Sequence, residues 1–164
     1  MTCDSFFSTI TWLGSLYVLL PSTAIFVLLL HKTGRPREML LLGLTFLATV
    51  VTAHASKLLF RRPRPEALAL LVPMPTDWSF PSAHAAQATA FFLASTIIAF
   101  RLLPPSWAGL CAVVSALIIV GVGWSRVYLQ VHYLSDVLAG CALAIMIVAA
   151  VVMLLLHFHS LRGE

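Results

Sequence analysis

The sequence predicts an all-α, integral-membrane bundle of about five transmembrane helices. Of its 164 residues, 60% are hydrophobic and only 10% are charged, whereas about a quarter of a soluble domain is charged. The apolar residues form long runs that lack the alternation typical of a membrane β-barrel. Because the chain is too short for a second domain, we expect residues 1–164 to form a single domain.

Five apolar segments have the roughly 20 residues that a helix needs to cross a bilayer. They are Thr9–Leu30, Met39–Phe60, Ala83–Leu103, Trp107–Val127 and about Tyr133–His157. Most of the connections between them are short, but the Arg61–Pro81 loop is long and holds five of the nine prolines.

Polar residues concentrate in three short strings at the edges of these segments. The strings are Lys57-x6-Arg64-Pro65, Pro81-Ser82-Ala83-His84 and Ser125-Arg126-x5-His132-x3-Asp136. Because successive spans run in opposite directions, the end of the second span, the start of the third, the end of the fourth and the start of the fifth share one membrane surface. The sequence therefore predicts that the three strings converge on one site.

The residue types in these strings suit a phosphate group. A phosphate monoester carries about two negative charges near neutral pH, which Lys57, Arg64 and Arg126 would offset through charge-assisted hydrogen bonds. Ser82 and Ala83 open a helix, where free backbone N–H groups and the helix dipole favour an anion, and Ser82 is a suitable N-cap. The Ser125 hydroxyl could donate one more hydrogen bond.

Two histidines and one carboxylate complete the predicted chemistry. His132 and Asp136 are four residues apart, so that on a helix they would share a face. A carboxylate on one ring nitrogen fixes the tautomer and leaves the other nitrogen free as a nucleophile. His84 then remains to protonate the leaving oxygen. The pattern predicts a phosphatase that works through a histidine nucleophile.

The three strings resemble the signature of the type 2 phosphatidic acid phosphatase (PAP2) superfamily: K-x6-RP, PSGH and SR-x5-H-x3-D. One position departs from it, since Ala83 replaces the glycine of PSGH; an alanine can still offer its backbone N–H. The resemblance implies a phosphohistidine enzyme without metal or other cofactor. His132 would be the nucleophile, Asp136 its partner and His84 the acid, with phosphate held by Lys57, Arg64, Ser82, Ala83, Ser125 and Arg126.

The resemblance also implies a lipid phosphate substrate. We expect undecaprenyl diphosphate first, because recycling of this carrier lipid needs an outward-facing phosphatase. The alternatives are phosphatidylglycerophosphate, phosphatidic acid or a lipid A phosphate. A non-catalytic lipid-phosphate binder or transporter is a more remote alternative, since it would not need His84, His132 and Asp136 together.

The basic residues predict the orientation of the chain. Five lie at one end of the bundle and five at the other, but removing Lys57, Arg64 and Arg126, which belong to the strings, leaves five against two. Since cytoplasmic loops carry the excess of Lys and Arg, we expect the N-terminus outside and the C-terminus inside. In a bacterial inner membrane the site would then face the periplasm or the exterior.

Several residues outside the strings are candidate substrate contacts: His54, Arg61, Arg62, Trp78 and Phe80. The arginines could equally be interfacial anchors, and His54 could be a packed neutral histidine, although ionisable groups within a membrane are candidates for function. The cysteines match no metal motif. The expected partners are a lipid substrate and membrane lipids, not nucleic acid, because the basic residues form no stripe with aromatic stacking partners.

Overall fold

The computed structural model describes residues 2–66 and 71–161, and in these ranges every regular element is helical. Helix α1 spans Cys3–Ile10 and is followed by a 3₁₀ turn, Thr11–Gly14. The remaining helices are α2 (Leu16–Lys32), α3 (Pro36–Phe60), α4 (Ala83–Leu102), α5 (Pro105–Tyr128) and α6 (Leu134–Leu161). The predicted all-α fold is confirmed.

The number of spans agrees with the prediction. Helices α3, α4, α5 and the Leu134–Phe158 part of α6 are each long and apolar enough to cross a membrane. Two further pieces, Cys3–Gly14 and Leu16–Lys32, are long and apolar enough only when taken together, and they meet at an angle of 43°. The protein is therefore a multi-pass membrane protein, with four unbroken candidate spans in residues 2–66 and 71–161, or five if the bent pair is one span.

The bend lies inside the first predicted span, Thr9–Leu30, and divides it in two. The backbone of Ser15 is extended, and its hydroxyl accepts a hydrogen bond from the Tyr17 backbone N–H at 3.3 Å. Ser15 therefore acts as the N-cap of α2 and interrupts the helix. Hydropathy does not reveal this break, because the residues on both sides of Ser15 are apolar.

Helix α4 is the centre of the bundle and packs against α2, α3, α5 and α6. Its alanines at 85, 86, 88, 90 and 94 are fully buried, and their small side chains let the surrounding helices come close. The far half of the bundle is filled by larger residues, among them Leu41, Leu42 and Ile98. Apolar packing thus holds one half of the bundle, which leaves the other half for polar side chains.

Helix α6 approaches the start of α4 very closely. A Cβ added at Gly140 would lie 2.6 Å from the Ser82 carbonyl oxygen, which is closer than non-bonded atoms can approach. Nearby, the Ser82 backbone N–H donates to the Asp136 carbonyl at 2.9 Å. The second and third sequence strings are therefore joined through the backbone.

Candidate active site

A polar cavity of about 140 Å³ lies at the end of the bundle where the three strings meet. Six residues of the three strings line it: Lys57, Arg64, Ala83, His84, Arg126 and His132. They come from α3, the loop after it, α4, α5 and the turn before α6. The chain thus brings three cations and two imidazoles to one small space.

The His132 ring faces the Asp136 carboxylate. Nδ1 of His132 lies 3.4 Å from Oδ2 of Asp136, beyond the usual hydrogen-bond range of about 2.7–3.2 Å, and Nδ1 has no other partner in the described ranges. Such catalytic contacts are often long without substrate.

His132 and Asp136 do not lie on one continuous helix. Helix α6 begins at Leu134, so His132 lies in the turn before it and Asp136 in its first turn. The Asp136 carboxylate reaches back and accepts the backbone N–H of Tyr133 at 3.1 Å, as in a capping box. The same side chain therefore caps the helix and faces the histidine.

Burial determines the pKa of His132, because this residue is only 3% exposed. Removal from water lowers the pKa of His132 to about 4; the contact with Asp136 acts in the opposite direction, and the positive charges of Arg126, Arg64 and Lys57 lower it further. The ring is therefore neutral at physiological pH, as a nucleophile must be.

The second ring nitrogen of His132 points to the cations. Nη1 of Arg64 lies 3.2 Å from Nε2 of His132 and donates to the Val131 carbonyl at 2.6 Å. An arginine N–H can only donate, so Nε2 carries the lone pair and Nδ1 carries the proton. This tautomer directs the nucleophilic nitrogen into the cavity.

Lys57 and Arg64 share an acidic partner that the sequence did not identify. Nζ of the buried Lys57 lies 2.9 Å from Oδ2 of Asp77, and the Arg64 guanidinium pairs with the other carboxylate oxygen. Burial raises the pKa of Asp77, but its hydrogen bonds and ion pairs with Lys57 and Arg64 outweigh that and hold the pKa below its ordinary value. The sequence held one indication of this role, because Asp77 is the only acidic residue between Glu66 and Asp136.

Arg126 has a partner from a distant part of the chain. Its Nη1 donates to the Thr11 hydroxyl at 2.7 Å, and both residues are buried. Gln87, one turn after His84, is also buried and lines the cavity. Sequence reasoning identified neither Thr11 nor Gln87, since neither stands in a motif.

The two serines of the strings use their hydroxyls on their own helices. Ser82 accepts the Ala85 backbone N–H at 3.5 Å, which confirms it as the N-cap of α4, and Ser125 donates to the Val122 carbonyl at 2.6 Å. Both are fully buried. Phosphate binding by these hydroxyls stays a prediction.

Of the candidate contacts outside the strings, His54 and Trp78 are connected to the polar cavity, whereas Phe80 is not. His54 lines the cavity, with Nδ1 2.8 Å from the Val50 carbonyl of its own helix. Trp78 contributes its backbone carbonyl to Lys57. Phe80 packs instead against Phe60, with ring centroids 5.0 Å apart, beside a separate open cavity.

The two neighbouring arginines behave differently. Arg61 ends α3 and donates to the Leu58 carbonyl of the same helix at 3.0 Å. Arg62 donates to Oδ1 of Asp136 at 2.7 Å and to the Ser135 hydroxyl at 2.8 Å, and it stacks on the Tyr133 ring at 4.1 Å. Arg62 thus supports the carboxylate behind His132.

Residues 2–66 and 71–161 contain no cluster of three His, Cys, Asp or Glu side chains that could hold a metal ion. The expected absence of a metal cofactor stays a prediction.

Two curated proteins show how this sequence relates to known ones. It is 33% identical over 131 residues to an undecaprenyl-diphosphatase of Sulfolobus acidocaldarius, a match covering 77% of this chain and 58% of that protein. It is 36% identical over 111 residues to a decaprenylphosphoryl-5-phosphoribose phosphatase of Mycobacterium tuberculosis, covering 66% of this chain and 56% of that one. The chain spans a little over half the length of these relatives.

Solved structures share the fold. A transmembrane PAP2-type phosphatidylglycerolphosphate phosphatase of Bacillus subtilis superposes with a TM-score of 0.82 at 29% identity, covering 90% of this chain and 74% of that one. LpxE of Aquifex aeolicus gives 0.66 at 27% identity, covering 92% and 85%. The model of the PAP2 superfamily matches residues 38–159, which include all three strings. The chain belongs to the PAP2 superfamily.

Proposed function

We propose that this protein is a membrane lipid phosphatase that hydrolyses undecaprenyl diphosphate to undecaprenyl phosphate. The observation that carries the proposal is the single small cavity lined by Lys57, Arg64, Arg126, His84 and His132. Three cations match the charge of a terminal phosphate, and two imidazoles suit nucleophilic attack and proton transfer. A protein that only bound the phosphate would need the cations but not the histidines.

In the first step, Nε2 of His132 attacks the phosphorus in line with the leaving oxygen. The new N–P bond forms as the P–O bond breaks, and the electron pair of that bond stays on the departing oxygen. His84, carrying a proton, donates it to that oxygen. Asp136 stabilises the positive imidazole that develops, and the cations meet the charge on the phosphoryl oxygens.

In the second step, water hydrolyses the phosphohistidine. His84, now neutral, accepts a proton from the water as its oxygen bonds to phosphorus. The N–P bond breaks, and its electron pair returns to Nε2 of His132. Inorganic phosphate leaves and His84 is protonated again, so each turnover restores the starting state and consumes one water.

The relatives support a lipid phosphate substrate without agreeing on one. The name of the Sulfolobus acidocaldarius protein favours undecaprenyl diphosphate, whereas the Mycobacterium tuberculosis and Bacillus subtilis names favour a phosphate monoester. A phosphate monoester of a lipid, such as phosphatidylglycerophosphate, phosphatidic acid or a lipid A phosphate, is therefore the second candidate.

An apolar cavity supports a substrate with an apolar tail. It measures about 550 Å³ between α2, α4 and α5, and Phe26, Ser95 and Trp107 are among the residues that line it. Ser95 lies three turns after His84 on the same side of α4. A tail could therefore follow α4 from the polar cavity into the bilayer.

A panel assay tests the substrate. Purified protein in detergent would be given undecaprenyl diphosphate, phosphatidylglycerophosphate, phosphatidic acid and a lipid A phosphate, and kcat/KM for phosphate release would rank them. The highest value for the diphosphate supports the first candidate, and a higher value for a monoester supports the second. Release from none of them would refute the proposal.

His132→Ala tests the nucleophile, and we expect it to abolish phosphate release. Vanadate should inhibit the wild type, whereas EDTA should leave activity unchanged because we propose a reaction independent of metal. Full activity in His132→Ala would exclude the assignment, and strong loss of activity with EDTA would point to a metal enzyme.

His84→Ala tests the proton donor. A lipid monophosphate leaves more easily without a proton than an alkoxide does, so the variant should lose more kcat on phosphatidic acid than on undecaprenyl diphosphate. Equal losses on both substrates would argue against His84 as the general acid.

We also propose that one domain, residues 1–164, lies in a bacterial inner membrane with the polar cavity outside and the C-terminus inside. Cys3 is exposed near that cavity end, while Cys111 and Cys141 are half-buried. A membrane-impermeant maleimide applied to intact cells should therefore label the wild type and not Cys3→Ser. If labelling requires broken cells, the orientation is the opposite one.

A further inference from the structure

The segment Cys3–Gly14, here called the N-terminal segment, lies outside residues 38–159 that match the family model. It is nevertheless attached to the cavity end of the bundle. The Tyr128 hydroxyl donates to the Asp4 carboxylate at 2.7 Å, and the Phe7 ring packs on the Tyr128 ring at 4.2 Å. The segment is therefore fixed to the end of α5, the helix that carries Arg126.

The far end of the segment contacts the site itself. A Cβ added at Gly14 would lie 2.9 Å from the carbonyl oxygen of His84 and 2.5 Å from the Val122 side chain. Such contacts require a residue without a side chain. The N-terminal segment thus packs closely against α4 and α5 beside the cavity, and Ser15, Leu16 and Tyr17, which follow it directly, line the cavity.

Thr11 links this segment to Arg126, one of the candidate phosphate-binding residues. Arg126 is 5% exposed and Thr11 is 8% exposed, and Nη1 of Arg126 donates to the Thr11 hydroxyl at 2.7 Å. In residues 2–66 and 71–161, Thr11 is the only side chain that accepts a hydrogen bond from Arg126.

Another nitrogen of the same guanidinium, Nε, differs from Nη1. Nε of Arg126 is buried, and it forms no hydrogen bond within the described ranges. An unsatisfied buried N–H of a cation is costly. The guanidinium is planar, so a hydrogen bond at Nη1 fixes the direction of its other N–H groups. Arg126 lines the polar cavity, where an anion could satisfy Nε.

We propose that Thr11 is a positioning residue for Arg126. Its hydroxyl holds Nη1, so that Nε and Nη2 are oriented for bidentate contact with a phosphate group before the substrate arrives. Less side-chain freedom is then lost on binding. This inference rests on the proposed function, because it assumes that the cavity binds phosphate.

Four variants distinguish the effect of the Thr11 hydroxyl from the effect of its side-chain shape. Thr11→Val replaces the hydroxyl with a methyl group. Thr11→Ser and Thr11→Ala both lack the methyl group and differ only in the hydroxyl, which keeps the test valid if the valine variant does not fold. Thr9→Val is the matched control, because the Thr9 hydroxyl donates to the Ser5 carbonyl in the same segment, at 2.7 Å, and not to Arg126.

Binding of inorganic orthovanadate to purified protein in detergent, followed by calorimetry, is the primary measurement. We expect about tenfold weaker binding for Thr11→Val and Thr11→Ala, the scale of one hydrogen bond to a charged group. Thr11→Ser and Thr9→Val should bind as the wild type does. In an Arg126→Lys background, Thr11→Val should cause no further loss, since its effect acts through the guanidinium.

Several results would overturn the inference. They are wild-type affinity in Thr11→Val, equal losses in Thr11→Ser and Thr11→Ala, or a full additional loss in the Arg126→Lys background. A wild type that binds vanadate but cleaves no lipid phosphate refutes the proposed function and leaves the role of Thr11 measurable. A wild type that does not bind vanadate refutes both.

Discussion

Two walls of the polar cavity differ in what holds their side chains. The nucleophile wall consists of His132, Asp136 and Arg62, and the cation wall consists of Lys57, Arg64 and Asp77. In the first, Asp136 is fully buried and is held by Arg62 and the Tyr133 backbone N–H. In the second, the shared partner Asp77 has a side chain that is 49% exposed.

This difference suggests that the nucleophile wall serves the chemical step and the cation wall serves phosphate binding. In the nucleophile wall, hydrogen bonds hold the Asp136 carboxylate in place before any substrate is present, as preorganised catalysis requires. The two cations of the other wall share one half-exposed carboxylate on a loop, which an arriving phosphate could replace. Changes in the nucleophile wall should therefore reduce turnover, whereas changes in the cation wall should alter affinity.

Asp136→Asn should have the largest effect. The amide cannot stabilise the imidazolium and favours the wrong tautomer, so kcat should fall on the order of 10³- to 10⁴-fold, as when a carboxylate that orients a catalytic histidine is replaced by its amide. Steady-state kinetics on the best lipid substrate would measure this, with KM nearly unchanged. Ser135→Ala is the control, since it removes the other side-chain acceptor of Arg62. A kcat within tenfold of wild type would contradict the role of Asp136.

The second prediction concerns the pH at which His132 binds a proton. Because burial lowers its pKa to about 4, the ring should stay neutral as the pH falls through about 6.5, the ordinary histidine value. It should bind a proton only near pH 4, and that proton would block the nucleophile. Nitrogen NMR of histidine-labelled protein is preferable to a rate profile, because the substrate phosphate itself titrates near pH 6. Titration of His132 near 6.5 would contradict its burial.

Arg62→Gln should cause an intermediate loss. The guanidinium holds Oδ1 of Asp136, so we expect kcat to fall roughly ten- to a hundredfold, the scale of one hydrogen bond between charged groups. Arg61→Gln is the matched control, because Arg61 is adjacent and of equal charge but bonds to its own helix. A rise in KM without a fall in kcat would instead support the substrate contact predicted from the sequence for Arg62.

The sequence was most informative about which residues lie at the same end of the bundle. Alternating spans placed Lys57, His84, Arg126 and His132 at one end of the bundle, and these residues line one cavity. This works because a membrane-spanning helix must run from one surface to the other, so the order of residues along the chain sets the depth of each.

Pattern alone could not identify the hydrogen-bond partners. Thr11 reaches Arg126 across 115 positions, and Asp77 reaches Lys57 from an irregular loop. Neither loop geometry nor the helix break at Ser15 follows from hydropathy or helical periodicity. Similarly, Arg61 and Arg62 are identical in type and adjacent, yet only the fold distinguishes their roles.

Asp77→Asn should have the smallest effect, and it should be a gain. Because Lys57 and Arg64 hold the pKa of Asp77 below its ordinary value, this carboxylate is ionised at neutral pH and competes with phosphate for both cations. The asparagine removes the negative charge at nearly the same size. Orthovanadate should then bind roughly two- to fivefold more tightly, in keeping with the modest strength of a half-exposed ion pair.

Glu66→Gln is the control for Asp77→Asn, since it removes one negative charge from the same loop, and it should leave vanadate affinity unchanged. If Glu66→Gln gives the same gain, the cause is net charge and not competition at the cations. If Asp77→Asn weakens vanadate binding, Asp77 orients Lys57 and Arg64 for the anion, and the cation wall is as preorganised as the nucleophile wall. The sign of this one change therefore decides whether the two walls differ.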